Sequence, residues 1–299
     1  NKRAPHKEKN SGGARNTQKQ TVMNRIISLL ILFVAMTAMA QNQKEIVIIH
    51  TNDSHSCILP MSPNLADTTK ADKGGFLRRI TMLNEERKKD PELLYIDSGD
   101  FSQGSAYYTM FTGEVEIGLM NMMGLDAVTL GNHEWDSGME RLVENLRMAN
   151  FPVVCSNYDF SGTELEKLVK PFTIVNKKGV KIGILAIGPK LEGLVDKKHY
   201  GDVKYLDPAE SALKTATLLK EKEKCDLVIC ISHLGWGPDY DIAMIKQTKY
   251  IDLVLGGHTH TQFKEIRYVK DLDGKDVAVD QNGKSGINVS KMTLTLSEQ

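Results

Sequence analysis

The sequence predicts an α/β fold. Three observations carry that prediction. Strand-like and helix-like runs alternate from about residue 44 to 260, short polar clusters stand at the ends of apolar β-rich runs, and beyond His260 the pattern changes to strands joined by turns. A period of 2 alternating with a period of 3.6 is the mark of βαβ-type units.

The elements follow in order. The apolar run 46–50 reads as the first strand. Segment 73–89 (KGGFLRRITMLNEERKK) has apolar residues at helical spacing and a charged outer face, and it precedes a strand at 93–97. Segments 114–123 and 137–149 read as helices, the second opening on Ser137 as an N-cap. Segment 207–223 opens on Asp207-Pro208, a cap followed by Pro at the first helical position. Further strands are expected near 127–130, 152–155, 180–187, 226–231 and 251–255. After His260, runs near 263–269, 276–280 and 287–296 read as strands joined by Asp-Gly and Asn-Gly turns, with no helix between them. Residues 41–299 show no internal repeat and no low-complexity stretch.

The N-terminal region is set aside from the fold. Met23-Asn24-Arg25, the apolar run Ile26 to Met36 and Ala38-Met39-Ala40 describe a secretory signal peptide at 23–40. The other reading, a membrane anchor, needs a longer span, about 18 apolar residues or more. Residues 1–22 are basic, polar and rich in Asn, Gln and Gly, and read as an upstream, disordered extension. The expected mature chain is 41–299, an exported, periplasmic or secreted domain with no stable membrane span, of a size that suits one large α/β core.

Formal net charge is zero over the whole sequence, but residues 1–40 hold seven Lys/Arg and one Glu. That leaves 41–299 with 31 basic and 37 acidic side chains, a net of −6. A mildly acidic surface gives no footprint for a nucleic-acid polymer. A small anionic substrate is still compatible, since bound cations would make a cleft locally positive. Cys57, Cys155, Cys225 and Cys230 show no C-x-x-C spacing, so neither a disulfide framework nor a structural zinc site is implied.

The chemistry sits in five clusters: Asp53-Ser54-His55, Gly99-Asp100, Gly131-Asn132-His133-Glu134, Ser232-His233 and Gly257-His258-Thr259-His260. Each follows a strand-like run, where open α/β sheets gather their functional groups. Together they supply two Asp, one Asn and five His, too many ligands for one metal ion and about the right number for two. Asp53 and His55 are two apart, so in an extended segment their side chains share one face. His258 and His260 repeat that spacing. Gly99, Gly131 and Gly257 allow sharp turns beside a metal. Imidazole, carboxylate and one amide suit Zn²⁺, Mn²⁺ or Fe and disfavour a soft thiolate site. Any one cluster has an ordinary alternative, such as a hydrogen-bonded structural His or a plain turn at Gly-Asn-His; five in this order outweigh it. His6, His50 and His199 stand outside the pattern, the first in the leader, the second in a strand and the third in a loop.

The wording of the clusters, TNDSH, DSGD with Gln103-Gly104, GNHEWD, SHLG and GGHTH, resembles the calcineurin-like metallophosphoesterases, and within them the N-terminal catalytic domain of the 5′-nucleotidases. The resemblance covers nearly all of 44–299. It implies a layered sandwich, two mixed β-sheets flanked by helices, and two divalent metal ions bridged by Asp100. Asp53, His55 and His260 would complete one site, and Asn132, His233 and His258 the other. His133 would face the phosphate instead of a metal, held by Asp136. A carboxylate beside an imidazole fixes its tautomer and raises its pKa, which agrees with that role. Asp136 also reads as a helix N-terminal carboxylate beside Ser137. Ser54, Ser56, Trp135 and His260 depart from common family residues without removing chemistry.

The implied activity is hydrolysis of a small phosphorylated substrate, first of all a nucleotide. The same site would also serve a phosphodiesterase or a sugar-nucleotide pyrophosphatase. A non-catalytic metal-binding protein or partner subunit would be expected to have lost His133 or Asp136, and both are present. In 5′-nucleotidases a second, C-terminal domain stacks on the base, so the resemblance leaves room for a separately encoded substrate-binding domain or subunit. Mass spectrometry of the exported protein should find Gln41 at its N-terminus; retention of Arg25 would refute cleavage and favour an anchor.

Overall fold

The computed structural model describes Met23 and residues 43–297. The expected extension at 1–22 and leader at 23–40 lie, Met23 apart, outside the described residues, as does His6. Ile46–Leu294 form one compact unit, and the described residues on either side of it group separately.

The strands, in chain order, are β1 (Gln43–Thr51), β2 (Leu94–Asp97), β3 (Ala127–Thr129), β4 (Val153–Val154), β5 (Tyr158–Asp159), β6 (Val169–Lys170) and β7 (Phe172–Lys177). They continue with β8 (Val180–Ile187), β9 (Lys204–Tyr205), β10 (Leu227–Ser232), β11 (Leu253–Leu255), β12 (Arg267–Lys270), β13 (Asp276–Asp280) and β14 (Ser290–Ser297). The helices are α1 (Phe76–Lys89), α2 (Ala106–Phe111), α3 (Glu114–Met120), α4 (Gly138–Met148), α5 (Leu165–Leu168), α6 (Lys197–Tyr200), α7 (Pro208–Thr217) and α8 (Asp241–Lys246). Two six-stranded sheets result, ordered β14-β1-β2-β3-β4-β6 and β12-β13-β11-β10-β8-β7, with a small β5-β9 pair beside them. β1, β2, β3, β4 and β6 run parallel. In the second sheet β8, β10, β11 and β13 run parallel, and the edge strands β7 and β12 are antiparallel to their neighbours. This is the expected class, two large sheets with helices outside.

The strands most apolar in sequence lie where both faces are covered. β8 and β10 are buried almost throughout, as parallel strands between layers should be. β3 and β4 pack against β8 and β10, which seats the sheets face to face. One apolar cluster joins α1, α3 and α4 to the first sheet through Phe76, Leu83, Ile117, Met120 and Leu146. A second joins α7 and α8 to the other sheet through Ala212, Ala216, Met244 and Ile245.

Register aligns the strand ends. Thr51 pairs with Asp97 and Asp97 with Val128 in one sheet. Ser232 pairs with Ile187, Ile231 with Leu255 and Leu255 with Asp280 in the other. All five polar clusters therefore leave their sheets at one edge. Beneath them a buried polar bridge joins the sheets. His50 Nδ1 lies 2.7 Å from Asp280 Oδ2, His50 Nε2 lies 2.9 Å from Ser98 Oγ, and Ser98 Oγ donates to the Leu255 carbonyl at 2.8 Å. Asn282 Nδ2 closes the group against the His50 carbonyl at 3.1 Å.

Several local expectations are corrected. The first helix starts at Phe76, after Gly74 and Gly75 at positive φ, instead of at 73. The helix expected over 114–123 stops at Met120. Ser137 occupies the N-cap of α4 but makes no cap bond; its hydroxyl meets Tyr108 Oη at 2.8 Å. The helix expected over 207–223 is α-helical only to Thr217 and continues as a π-turn over Leu218–Lys222, while Asp207 caps it through Glu210 N. The run at 263–269 yields a strand only at Arg267–Lys270. His199 lies in the one-turn helix α6, not in a loop.

Replacing Asp280 by Ala would leave buried His50 and Asn282 without their partner. We expect a loss of about 2–4 kcal/mol, read as a lower denaturant midpoint at unchanged slope.

Candidate metal centre

The site is built by loops that follow β1, β2, β3, β10 and β11, so both sheets contribute candidate donor atoms. Three convergent groups of donor atoms occur among the described residues, each with its atoms within 4.8 Å of one another: Asp53, His55 and His260; Asp100, His233 and His258; and His55, Asp100 and His133. Asp100 thus belongs to two groups, one with side chains of each sheet. The sequence-predicted residues Asp53, His55, Asp100, His133, His233, His258 and His260 all converge here. Asn132 stands beside them on the loop after β3, 7 % exposed, its Oδ1 buried without a hydrogen-bond partner.

The two-residue spacing works differently from an extended strand. Asp53, His55, Asp100, His258 and His260 all have φ between 43 and 71°. Their side chains are aimed by left-handed turns, not by strand alternation. Non-glycine residues adopt this region at a cost of order 1 kcal/mol or more each, which the surrounding hydrogen bonds must impose. Those bonds are present. Asp53 N donates to the Gly99 carbonyl at 2.9 Å and His55 N to the Asp100 carbonyl at 2.9 Å. Asn52 Nδ2 donates to Asp53 Oδ2 at 2.6 Å, and Asn282 N donates back to Asn52 Oδ1 at 2.9 Å.

Space is as constrained as direction. A Cβ on Gly131 would fall 2.2 Å from Asp100 Oδ1 and 2.6 Å from His233 Nε2, so the backbone approaches the centre where no side chain fits. Gly99, at φ 84°, turns the chain so tightly that a Cβ would lie 2.7 Å from Gly131 N.

The donor set fits divalent cations by its own chemistry. His233 Nδ1 lies 2.5 Å from the Ser98 carbonyl. A carbonyl only accepts, so Nδ1 carries the proton and Nε2 offers its lone pair to the centre, the usual orienting arrangement of a metal-ligating imidazole. That Nε2 is buried and lacks a well-aligned partner, although Asp100 Oδ2 is 3.1 Å away. His55 Nε2 and His260 Nε2 stand 2.8 Å apart, and Asp53 Oδ1 lies 3.7 and 3.3 Å from them. Asn132 Oδ1 has no hydrogen-bond partner, and His233 Nε2 faces the poorly aligned Asp100 carboxylate. Buried polar atoms without partners are costly, and an ion would satisfy both.

Charge tells the same story. Burial would lower the His233 pKa, but Asp100 and then Asp53 outweigh it and carry it up to about 10. Burial likewise opposes charge on Asp100, yet His233 holds its carboxyl below the usual range. Burial lowers His55 to about 4 and also lowers His258. The centre is therefore two carboxylates in want of cations, ringed by imidazoles.

His133 is placed apart. It opens the 3₁₀ turn His133–Trp135, and its Nδ1 lies 2.7 Å from Asp136 Oδ2. Its side chain and that of Asp136 are about one-third exposed, and its ring lines a cleft of 680 Å³. The Asp136 hydrogen bond raises the His133 pKa against the effect of burial. Trp135, fully buried and stacked on Phe160 at 6.5 Å between centroids, anchors the turn to the core.

Glu134 is the residue whose role the sequence does not disclose. Its buried carboxylate accepts from Asp100 N at 3.0 Å, Ser102 N at 3.0 Å and Gly131 N at 2.7 Å, tying the loops after β2 and β3 together. Burial, and then the Asp100 charge, push it up to about 7. Its sequence signal is only its place two residues after Asn132.

Gly131→Ala should keep the fold but weaken divalent-metal binding by at least about tenfold, since the new methyl group displaces Asp100 or His233. Circular dichroism beside metal titration checks both halves; unchanged metal affinity would place the ions elsewhere.

Residues 46–262 match the family of calcineurin-like phosphoesterases. The chain is 32 % identical over 236 residues to the snake venom 5′-nucleotidase of Gloydius brevicauda, covering 77 % of this chain and 40 % of that one. It superposes on the NAD nucleotidase of Haemophilus influenzae with a TM-score of 0.77 at 27 % identity, covering 86 % of this chain and 48 % of the other. It superposes on a 5′-nucleotidase precursor from Thermus thermophilus with a TM-score of 0.75 at 28 % identity, covering 85 % and 54 %. The chain spans about half the length of these relatives or less. The chain belongs to the calcineurin-like phosphoesterase family, whose members are metal-dependent phosphoric ester hydrolases, and is 5′-nucleotidase-like within it.

Proposed function

We propose that the protein is an exported phosphoesterase that binds two divalent metal ions and hydrolyses phosphate monoesters, nucleotides first among them. The observation that carries the reading is the position of Asp100, whose carboxylate converges with His55 and His133 on one side and with His233 and His258 on the other. Asp53, His55 and His260 would hold one ion, Asn132, His233 and His258 the other, with Asp100 shared. Ions held by these residues would supply Lewis-acid neutralisation of phosphate charge and activation of water near neutral pH.

The protein's own groups do the rest. His233, fixed by Ser98, and Asp53, fixed by Asn52, keep the donors in place without reorganisation. Asp136 accepts the Nδ1–H of His133, so Nε2 is the nitrogen left for the substrate. The raised pKa keeps His133 able to donate a proton to a phosphoryl or leaving oxygen. Phosphoryl transfer demands mainly positioning and charge neutralisation, and this arrangement supplies both. Export rests on the signal-peptide reading of 23–40; no helix among the described residues is long and apolar enough to cross a membrane. A nucleotide substrate is supported by the nucleotidases among the relatives. One of them is an NAD nucleotidase, so a substrate with a diphosphate linkage stays as the second reading.

His133→Asn should lower kcat on an aryl phosphate by about 10²–10⁴-fold while metal stays bound, and Asp136→Asn should cost less. Full activity in metal-loaded His133→Asn would end the catalytic assignment, and equal loss of metal and activity would make His133 a ligand. Metal analysis should give two ions per chain. Asp100→Asn should weaken both, whereas His55→Ala should mainly empty one; a single ion bound by the wild type would refute the shared role of Asp100.

A further inference from the structure

We propose that a basic cleft beside the metal centre binds a second phosphate group of the substrate, so that the preferred ester carries two phosphates. The inference rests on the phosphoesterase reading for the site at which the first phosphate is cleaved. Two clefts meet at the metal cluster. The first, of 680 Å³, contains His55, His133 and His260. The second, of 610 Å³, shares Met61, His260, Lys284 and Ser285 with the first and is lined farther out by Asp67, Lys70 and Lys73. A ligand can thus run continuously from the metal ligands into a pocket that presents three ammonium groups and one carboxylate.

The carboxylate is already engaged: Asp67 pairs with Lys70 at 2.9 Å and accepts from Thr69 N at 3.0 Å. The ammonium groups of Lys73 and Lys284 make no ion pair or hydrogen bond among the described residues. Lys177, Lys178, Lys270 and Lys275, by contrast, each lie within 2.7 Å of an acidic partner. Residues 41–299 carry an acidic excess, so such partners are plentiful.

Both free lysines are carried on anchored backbone. Lys284 sits between Gly283, whose carbonyl accepts from Asn52 Nδ2 at 2.8 Å, and Ser285, whose N–H donates to the Asp53 carbonyl at 2.7 Å. It is therefore bracketed by bonds to the loop that bears a metal ligand. The Lys73 carbonyl accepts from Met61 N at 2.8 Å, which ties the 70–73 turn to the wall common to both clefts. Ammonium groups are compact charges that suit phosphate without demanding one fixed geometry, and several of them in a concave site focus an anion. A net surplus of two positive charges at the cleft matches a phosphate dianion better than a carboxylate. The reaction itself is unchanged. Water oxygen bonds to the phosphorus at the metal centre, the bond from phosphorus to the leaving oxygen breaks, that oxygen takes a proton, and the second phosphate departs intact on the product.

The test compares AMP, ADP and adenosine 3′,5′-bisphosphate on the metal-loaded wild type and on Lys73→Ala/Lys284→Ala. The wild type should favour at least one of the two-phosphate substrates over AMP by about tenfold in kcat/KM, and the double variant should erase that ratio. A gain with ADP places the second phosphate next to the first, and a gain with the bisphosphate places it across the nucleoside. Lys270→Ala/Lys275→Ala removes the same charge from the β12–β13 hairpin and should leave the ratio as it was. Equilibrium binding of adenosine 3′,5′-bisphosphate, ADP and AMP gives a readout independent of turnover, with the selective loss again expected only in Lys73→Ala/Lys284→Ala. A wild-type ratio near one, or a ratio the double variant preserves, overturns the cleft assignment and leaves the phosphoesterase reading intact. Selective binding without hydrolysis of any ester does the reverse.

Discussion

Two buried carboxylates set the terms for this fold. Asp53 and Asp100 have almost no solvent contact, and both approach one imidazole nitrogen, His233 Nε2, at 3.9 and 3.1 Å. Taking two like charges out of water costs several kcal/mol each unless opposite charge or hydrogen-bond donors replace the solvent. Part of the replacement is visible. His258 N reaches both Asp53 oxygens at 3.1 and 3.0 Å, and His133 N reaches Asp100 Oδ1 at 2.9 Å. The remainder falls to His233, which is why its pKa stands so far above an ordinary imidazole. Divalent cations would relieve the same deficit, and the donor atoms left without partners surround the place where they would sit.

The architecture follows from that need. One sheet cannot ring two anions with imidazoles, because its strand ends form a single row. Here the first sheet brings Asp53, His55, Asp100 and Asn132, and the second brings His233, His258 and His260. The seam between the sheets is consequently polar at its end, and the bridge of His50, Ser98 and Asp280 fixes the distance between rows. Arg79 adds a support from outside. Buried on α1, it faces Asp97 at 3.7 Å, and Asp97 Oδ1 in turn accepts from Gly99 N at 3.0 Å, immediately before Asp100. Packing on the helix side is thereby transmitted to the turn that carries Asp100.

Much of this is legible in sequence because the informative residues have no cheaper use. β1, β8 and β10 are long, β-branched and buried, and their pattern admits little else. Two-residue strands such as β5, β6 and β9 carry no period to detect, and their pairing is decided by neighbours far along the chain. β7 escapes the pattern because its residues are only half-buried, as befits an edge. The side chains that converge are identifiable by type and order, yet the way the backbone aims them is not. Left-handed turns at Asp53 and His55 are imposed by hydrogen bonds to the Gly99 and Asp100 carbonyls, which are contacts between segments. Glu134 is opaque for a related reason: its partners are backbone N–H groups, which every sequence possesses.

The neighbours Asn132 and His133 show how one turn can assign different duties to adjacent residues. Asn132 is buried with a free amide oxygen, whereas His133 is part-exposed and its Nδ1 is taken by Asp136. The difference begins with Trp135. Its indole fills the core against Tyr158 and Phe160, which pins the 3₁₀ turn and leaves Glu134 facing inward to hold the loop amides. With positions 134 and 135 committed to the interior, successive side chains of a tight turn must splay, and His133 is the one that reaches the cleft. His55 Nε2 and Asp100 remain close enough for His133 to complete a third donor set, so geometry alone permits it to bind metal. The Asp136 contact argues for the other duty. That contact favours the protonated imidazole on the wall of the cleft, and a group that gives up a proton to a leaving oxygen needs one to hold. The support built for His133 is the support a proton donor requires.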